Sequence, residues 1–214
     1  MTRLRASTSN TKKARSSKIA FFHCLKRPRH VMRGLSRFGA LMRRVMIVGG
    51  PGSGKSTLAR DLGSQTELPV HHMDHIHWMP GWVQRPRSDR INMAHGVERG
   101  DRWIFEGNFS STFDHRATRA DTLIWLDLPV SLRLWRVAWR LVRFYGQERP
   151  DMAPGCVEGI HHETLHFFRW IWDTRHTHRR KVEKLISAHP HLLVYHLNSR
   201  AKVAAFANEF ALTR

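Results

Sequence analysis

The chain has 214 residues, enough for one good-sized domain or at most two small ones. With 41% hydrophobic and 25% charged residues it has an ordinary globular composition, which excludes collagen, wholesale disorder and a disulfide scaffold. The formal net charge of +19 sits at one end: 13 of the 36 Lys and Arg lie in residues 1–44 with no acid among them, and the other 23 against 17 acids leave the body at only +6.

Residues 1–41 are rich in Arg, Lys, Ser and Thr and carry no sustained helical or strand period. They are expected to be a basic, disordered extension, and three readings compete for it. It is an arm attracting nucleic acid or anionic lipid, an organelle transit peptide, or a non-native stretch ahead of a start at Met42. Two cysteines, Cys24 and Cys156, fit a reducing compartment. No apolar run approaches the length needed to span a bilayer. The expectation is a cytoplasmic protein, or an organelle-targeted one if the tail is a transit peptide.

Residues 42–214 are expected to form a single domain. Residues 45–48, Val-Met-Ile-Val, make a short β-rich run suited to a strand buried on both faces of a parallel sheet. It leads into Gly49, Gly50, Pro51, Gly52, Ser53, Gly54, Lys55, Ser56 and Thr57, then into a helical stretch. This is G-x-x-x-x-G-K-S between a strand and a helix, the arrangement in which backbone N–H groups cradle phosphates. Lys55 is expected to reach the β- and γ-phosphates of ATP, and the Ser56 hydroxyl to bind Mg²⁺.

Four further strands are expected over residues 69–72, 102–105, 122–126 and 192–197, separated by stretches of helical length. The pattern predicts an α/β, three-layer P-loop NTPase/kinase fold with a five-stranded parallel sheet and a helical lid at about residues 132–180. Asp74, Glu106 and Asp127 follow strand ends and so fall on the ligand side of such a sheet. Asp74 either orients the hydroxyl of an acceptor as a general base or caps a helix. Glu106 and Asp127 compete to support Mg²⁺, with Glu106 favoured by the Gly107-Asn108 turn after it.

Along the helix expected over residues 132–143, Arg133, Arg136, Arg140 and Arg143 form one stripe, and Leu132, Trp135, Trp139 and Val142 an adjacent apolar one. The stripe is either a solvated face over a packed one or the lid's arginines, with Arg140 and Arg143 acting on the transferred phosphate. Residues 145–159, with Pro150, Pro154 and three glycines, suit a mobile cover. A basic run from Arg175 to Lys181 supplies more phosphate contacts or is simply solvated. His71, His72, His75 and His77 cluster, as do His161, His162 and His166, without cysteine at zinc spacing, which argues against a structural metal. Trp78, Trp82, Trp103, Trp125, Trp170 and Trp172 are expected mostly in the core or cleft wall, with Trp78 and Trp82 able to stack on a planar acceptor.

Several blocks then occur in a specific order. They are residues 45–62, Met73-Asp74, Trp78-Met79-Pro80-Gly81-Trp82, Trp103-Ile104-Phe105-Glu106-Gly107-Asn108, residues 119–127, and Arg149-Pro150-Asp151-Met152-Ala153-Pro154-Gly155-Cys156. Over about residues 42–200 the chain resembles the bacterial adenylate-kinase-like proteins often labelled DNA topology modulation proteins. The resemblance implies ATP at residues 49–57, a lid after the fourth strand, and a second-substrate cleft near Asp74, Glu106 to Asn108 and Arg116. Relatives of this kind usually carry Asp where this chain has Glu106. The acceptor-phosphate arginine of adenylate kinases proper is missing after Asn108, which weakens an AMP acceptor.

The function expected is an ATP-dependent phosphotransferase acting on a nucleotide or another small molecule. Lys55, Asp74, Arg116, Arg140 and Arg143 are its catalytic candidates, and Ser56 and Glu106 its metal candidates. The alternatives are an ATP-binding regulatory protein influencing DNA topology, with nucleic acid held by the basic tail, or an ATPase switch.

Overall fold

The computed structural model describes residues 42–160 and 163–211; the basic tail expected over residues 1–41, and His161 and His162, lie outside them. The first half runs β1 (Arg44–Gly49), α1 (Lys55–Thr66), β2 (Val70–His72), α2 (Met73–His77), β3 (Trp78–Met79), β4 (Val83–Gln84), α3 (Arg87–Glu98) and β5 (Trp103–Glu106). The second half runs α4 (Phe113–Arg119), β6 (Thr122–Leu126), α5 (Val130–Arg143), α6 (Thr164–Asp173), α7 (Arg175–Ala188), β7 (Leu193–Leu197) and α8 (Arg200–Ala211). Strands β2, β5, β1, β6 and β7 stand side by side in that order, every pair parallel.

β1 occupies the middle because its apolar residues alternate between two dry faces. Val45 and Ile47 pack with Ile104, Ile124 and Leu126 against Leu58, Ala59 and Leu62 of α1 and Phe206 of α8. Met46 and Val48 point the other way, packing with Phe105, Leu123 and Trp125 against side chains of α2, α3, α4 and α7. Two helical layers thus sandwich one parallel sheet, which is the three-layer α/β P-loop kinase architecture. All five strands expected from the sequence are present, with ends displaced by one residue at most, and Glu106 closes β5 instead of following it.

Phe105 lies at the centre of one of these cores. It is fully buried, edge-on to Trp103 at 6.4 Å, with the Arg116 guanidinium 3.8 Å from its ring centre. Phe105→Ala is expected to cost about 3–5 kcal/mol of unfolding free energy, read as a lower urea midpoint with an unchanged m-value.

The packing bears on two expectations. The first concerns residues 145–159, expected as a mobile cover, which are tied to the hairpin formed by β3 and β4. Met152, Ala153 and Cys156 pack against Trp78 and Trp82. The Trp82 indole N–H donates to the Val157 carbonyl at 2.7 Å, and the Gly81 N–H to the Gly155 carbonyl at 2.9 Å. Gly155 is required there, since its φ is +77° and a Cβ would fall 2.8 Å from Pro80 Cβ. Trp78 and Trp82 therefore serve this small core.

The second concerns α5. Its tryptophans face outward, Trp135 at 62% and Trp139 at 56% exposure, stacked on each other, while Arg133 and Val137 are its buried residues. The helix is turned so that its arginines, not its apolar stripe, meet the domain.

Candidate active site

The loop between β1 and α1 has no side chain capping the helix. Gly54, at the N-cap, sits in the left-handed region at φ +93°, and no side-chain hydrogen bond caps α1. The first N–H groups of a helix have no intrahelical acceptor, so this terminus is open to an anion. Glycine is needed at Gly52 (φ +75°), where a Cβ would lie 2.4 Å from the Arg133 carbonyl oxygen, and Gly50 leaves room for the Arg133 guanidinium. These two positions let α5 rest directly on the loop. Asn108, just beyond β5, clamps the other side: its Nδ2 donates to the Gly49 carbonyl at 2.6 Å and its Oδ1 accepts from the Gly49 N–H at 3.3 Å. Lys55 folds back over the loop, with Nζ 3.4 Å from the Gly50 carbonyl oxygen. Ser53 is buried and its hydroxyl has no partner, Pro51 is half-buried, and Thr57 faces solvent.

Ser56 opens α1 on the acidic side of this cleft. Its hydroxyl donates to Glu106 Oε1 at 3.0 Å, and His72 Nδ1 lies 2.7 Å from the same oxygen. Burial alone would push the Glu106 carboxyl up. The His72 hydrogen bond, the Lys55 charge and the Ser56 hydroxyl outweigh it and hold Glu106 below its ordinary value. Asp127 is engaged elsewhere, with His196 at 3.0 Å and Arg179 at 3.5 Å. Of the two candidates, Glu106 is thus the one bonded to Ser56.

Asp74 lies in the first turn of α2, and no side chain caps that helix. Burial, and next the charge of Glu106, raise its carboxyl above the usual carboxylate range, against the opposing pull of Lys55, Arg149 and Arg140. These charges surround one point of the cleft. The sequence singled out Arg140 but passed over two acids that hold this side of the site. Arg140 reaches Glu158 at 3.7 Å; Arg149, almost fully buried, pairs with both Glu158 and Asp151, the latter at 3.4 Å. The Arg149 charge, with the Ser56 hydroxyl nearby, lowers the Asp151 carboxyl despite burial, which acts to raise it. His178 of α7 is a further residue passed over within the basic run. Burial, then the charges of Lys55 and Arg133, depress it to about 4, and its Nε2 has no partner.

Two catalytic candidates lie apart from these groups. Arg116 is completely buried, its guanidinium bonded to Glu98, to the Gly107 carbonyl at 2.9 Å and to the Thr112 hydroxyl at 3.1 Å. Burial pulls its pKa down to about 10. It braces the turn after β5 and presents nothing to the cleft. Arg143 is exposed at the end of α5, with its guanidinium 5.7 Å from the neighbouring Phe144 ring centre. The loop is met instead by Arg133, whose Nε donates to the Leu128 carbonyl, and by Arg136, whose Nη1 is 3.4 Å from the Ser53 carbonyl oxygen.

The residues present suit a nucleoside triphosphate with its magnesium. The helix terminus is uncapped, Lys55 and three arginines of α5 supply positive charge, and the Ser56 hydroxyl stands between the carboxylates of Glu106 and Asp151. A sheet of this topology carrying this loop defines the class of P-loop kinase folds. No protein-family model matches the chain, and no curated protein matches it. Among solved structures it is similar to shikimate kinase from Acinetobacter baumannii in complex with shikimate, at 16% identity and a TM-score of 0.49, over 79% of this chain and 91% of that one. It is also similar to shikimate kinase from Bacteroides thetaiotaomicron, at 15% identity and a TM-score of 0.44, over 80% and 97%. Likeness at this level bears on neither substrate nor chemistry. Among the described residues, no helix is long and apolar enough to cross a membrane.

Proposed function

We propose that this chain is an ATP-dependent phosphotransferase with a small-molecule acceptor, cytoplasmic in location. The observation that carries the reading is the gathering of Lys55, Ser56, Glu106, Asp74 and Arg140 around one cleft beside an uncapped helix N-terminus. Bound ATP would supply the phosphoryl group, and a bound Mg²⁺ would neutralise charge on the triphosphate. Lys55 and the α1 terminus would hold phosphate; Ser56, with Glu106 and Asp151 behind it, would hold the cation. Arg140, with Arg133 and Arg136 beside it, balances charge on the transferred group. Asp74 orients the acceptor hydroxyl and takes its proton, a role suited to a carboxyl raised toward working pH.

The acceptor is the property that cleft shape decides, and a panel answers it. ATP consumption is measured with nucleotides and hydroxyl-bearing metabolites, each with and without Mg²⁺. Consumption stimulated by one acceptor class supports the transferase. An unstimulated basal rate under every acceptor supports an ATPase switch, and stimulation by DNA alone supports the regulatory reading attached to the DNA topology proteins.

Asp74 gives the reading a pH signature. Turnover should rise with pH as Asp74 deprotonates, along an acid limb displaced above the ordinary carboxylate range, and Asp74→Asn should remove that limb with most of the rate. The same shift acts on stability with the opposite sign. A carboxyl whose folded pKa is raised contributes stability that is complete below its unfolded value of 3.8 and is lost as pH climbs through the folded value. Asp74→Asn should therefore gain stability on the native protein as pH rises through that range, in urea unfolding at several pH values. A limb at ordinary carboxylate pH, unchanged in the variant, contradicts the assignment.

A further inference from the structure

His95 and Glu98 lie one turn apart on α3, on the same helical face. Across from them, at the start of α4, His115 turns its ring toward the same carboxylate. Glu98 is fully buried, and its two oxygens have divided roles. Oε1 accepts from Arg116 Nε at 3.4 Å, while Oε2 faces His115 Nδ1 in hydrogen-bond contact and His95 Nε2 at 3.9 Å. The two imidazole rings lie against each other, centroids 4.1 Å apart and planes 31° from parallel. One donor atom from each of the three residues falls within 4.8 Å of the others, and no other group of three His, Cys, Asp or Glu meets that condition among the described residues.

We propose that His95, Glu98 and His115 form a binding site for a divalent transition-metal cation of the zinc class. Two imidazole nitrogens and one carboxylate oxygen are donors such a cation prefers, at bond lengths of about 2.0–2.2 Å. Donors on a tetrahedral ion at those lengths stand about 3.4 Å apart, so the existing spacings need only small side-chain rotations. A histidine–carboxylate hydrogen bond accounts for His115 alone. It leaves unexplained why a second imidazole, from another helix, is aimed at the same oxygen and pressed against the first ring. A cation accounts for both, because it accepts a lone pair from each.

The surroundings supply what a metal site requires beyond its ligands. Arg116 holds the other Glu98 oxygen, fixing the carboxylate's orientation as outer hydrogen-bond partners do at such sites. Glu98 is buried while His95 and His115 are 33% and 47% exposed, so the ion has an entry path and a fourth position open to water. The bound ion would fasten α3 to α4. Its influence would pass through Glu98 and Arg116 to the Gly107 carbonyl, one residue beyond Glu106. The site needs no nucleotide, so it stands or falls independently of the phosphotransferase reading.

The test uses the full chain freed of metal by chelation, then titrated with Co²⁺, whose visible absorption reports coordination by protein ligands, with Zn²⁺ as competitor. The expected result is one tightly held equivalent, retained through desalting and displaced by Zn²⁺. Zn²⁺ should also raise the thermal unfolding midpoint. His115→Ala and His95→Ala should each weaken binding by about tenfold or more and abolish the Zn²⁺-dependent rise. Should His95→Ala fail to fold, His115→Asn, at the more exposed ligand, decides the question. No retained metal in the native chain, or equal retention in the His115 variants, overturns the site, as does loss of binding only on replacing His71 and His75.

Discussion

Lys55→Ala is expected to lower ATP turnover by about 10²–10³-fold, with a fall in ATP affinity. Lys55 is the loop's own cation. Its ammonium lies 3.4 Å from the Gly50 carbonyl oxygen, at the mouth of the uncapped α1 terminus. Its charge bears on Asp74, Glu106 and His178 alike, so one substitution removes positive charge from every wall of the cleft. The fold should tolerate the change, because the side chain makes one long hydrogen bond and belongs to neither large core cluster. Nucleotide titration and steady-state rates, with circular dichroism to confirm the fold, make the comparison. Unchanged affinity and turnover would remove the loop from the account.

The second large effect separates two arginines one turn apart. Arg140→Ala is expected to reduce turnover by about 10²–10³-fold with little change in ATP affinity, the pattern of an interaction made mainly in the transition state. Arg143→Ala should stay near the native rate. Arg140 is partly buried against Glu158 and its charge reaches Asp74; Arg143 lies exposed beside Phe144. Exposed single charges rarely carry measurable energy. Equal losses at both positions, or none at either, would contradict the orientation of α5 on which the assignment rests.

That orientation marks where sequence legibility ended. The loop from Gly49 to Thr57 could be read directly because its chemistry is local, every participant lying within nine residues of chain. The three central strands, β1, β5 and β6, were equally plain, since burial on both faces leaves a largely apolar run. The period of α5 was visible too, but a period names two faces without saying which one meets the protein. The deciding fact is the space above Gly50 and Gly52, which admits Arg133 and turns Trp135 and Trp139 outward.

Arg116 was misplaced for a related reason. Its burial depends on Glu98, 18 residues earlier on a different helix, and no local pattern announces that pair. Asp151 and Glu158 belong to a segment that reads as a plain loop. Only the folded chain sets them beside Ser56 and Arg140, by fastening that segment to Trp78 and Trp82. The His95, Glu98 and His115 cluster escaped notice because its third member comes from the next helix, beyond the reach of any spacing rule.

Phosphoryl transfer itself tests the central claim most directly. ATP labelled in its γ-phosphoryl group is incubated with the chain, Mg²⁺ and the acceptor panel, and the label is followed into products. The account predicts label on an acceptor hydroxyl, dependent on Mg²⁺ and lost together in Lys55→Ala and Asp74→Asn. Label recovered only as inorganic phosphate, at one rate whatever the acceptor, would contradict it.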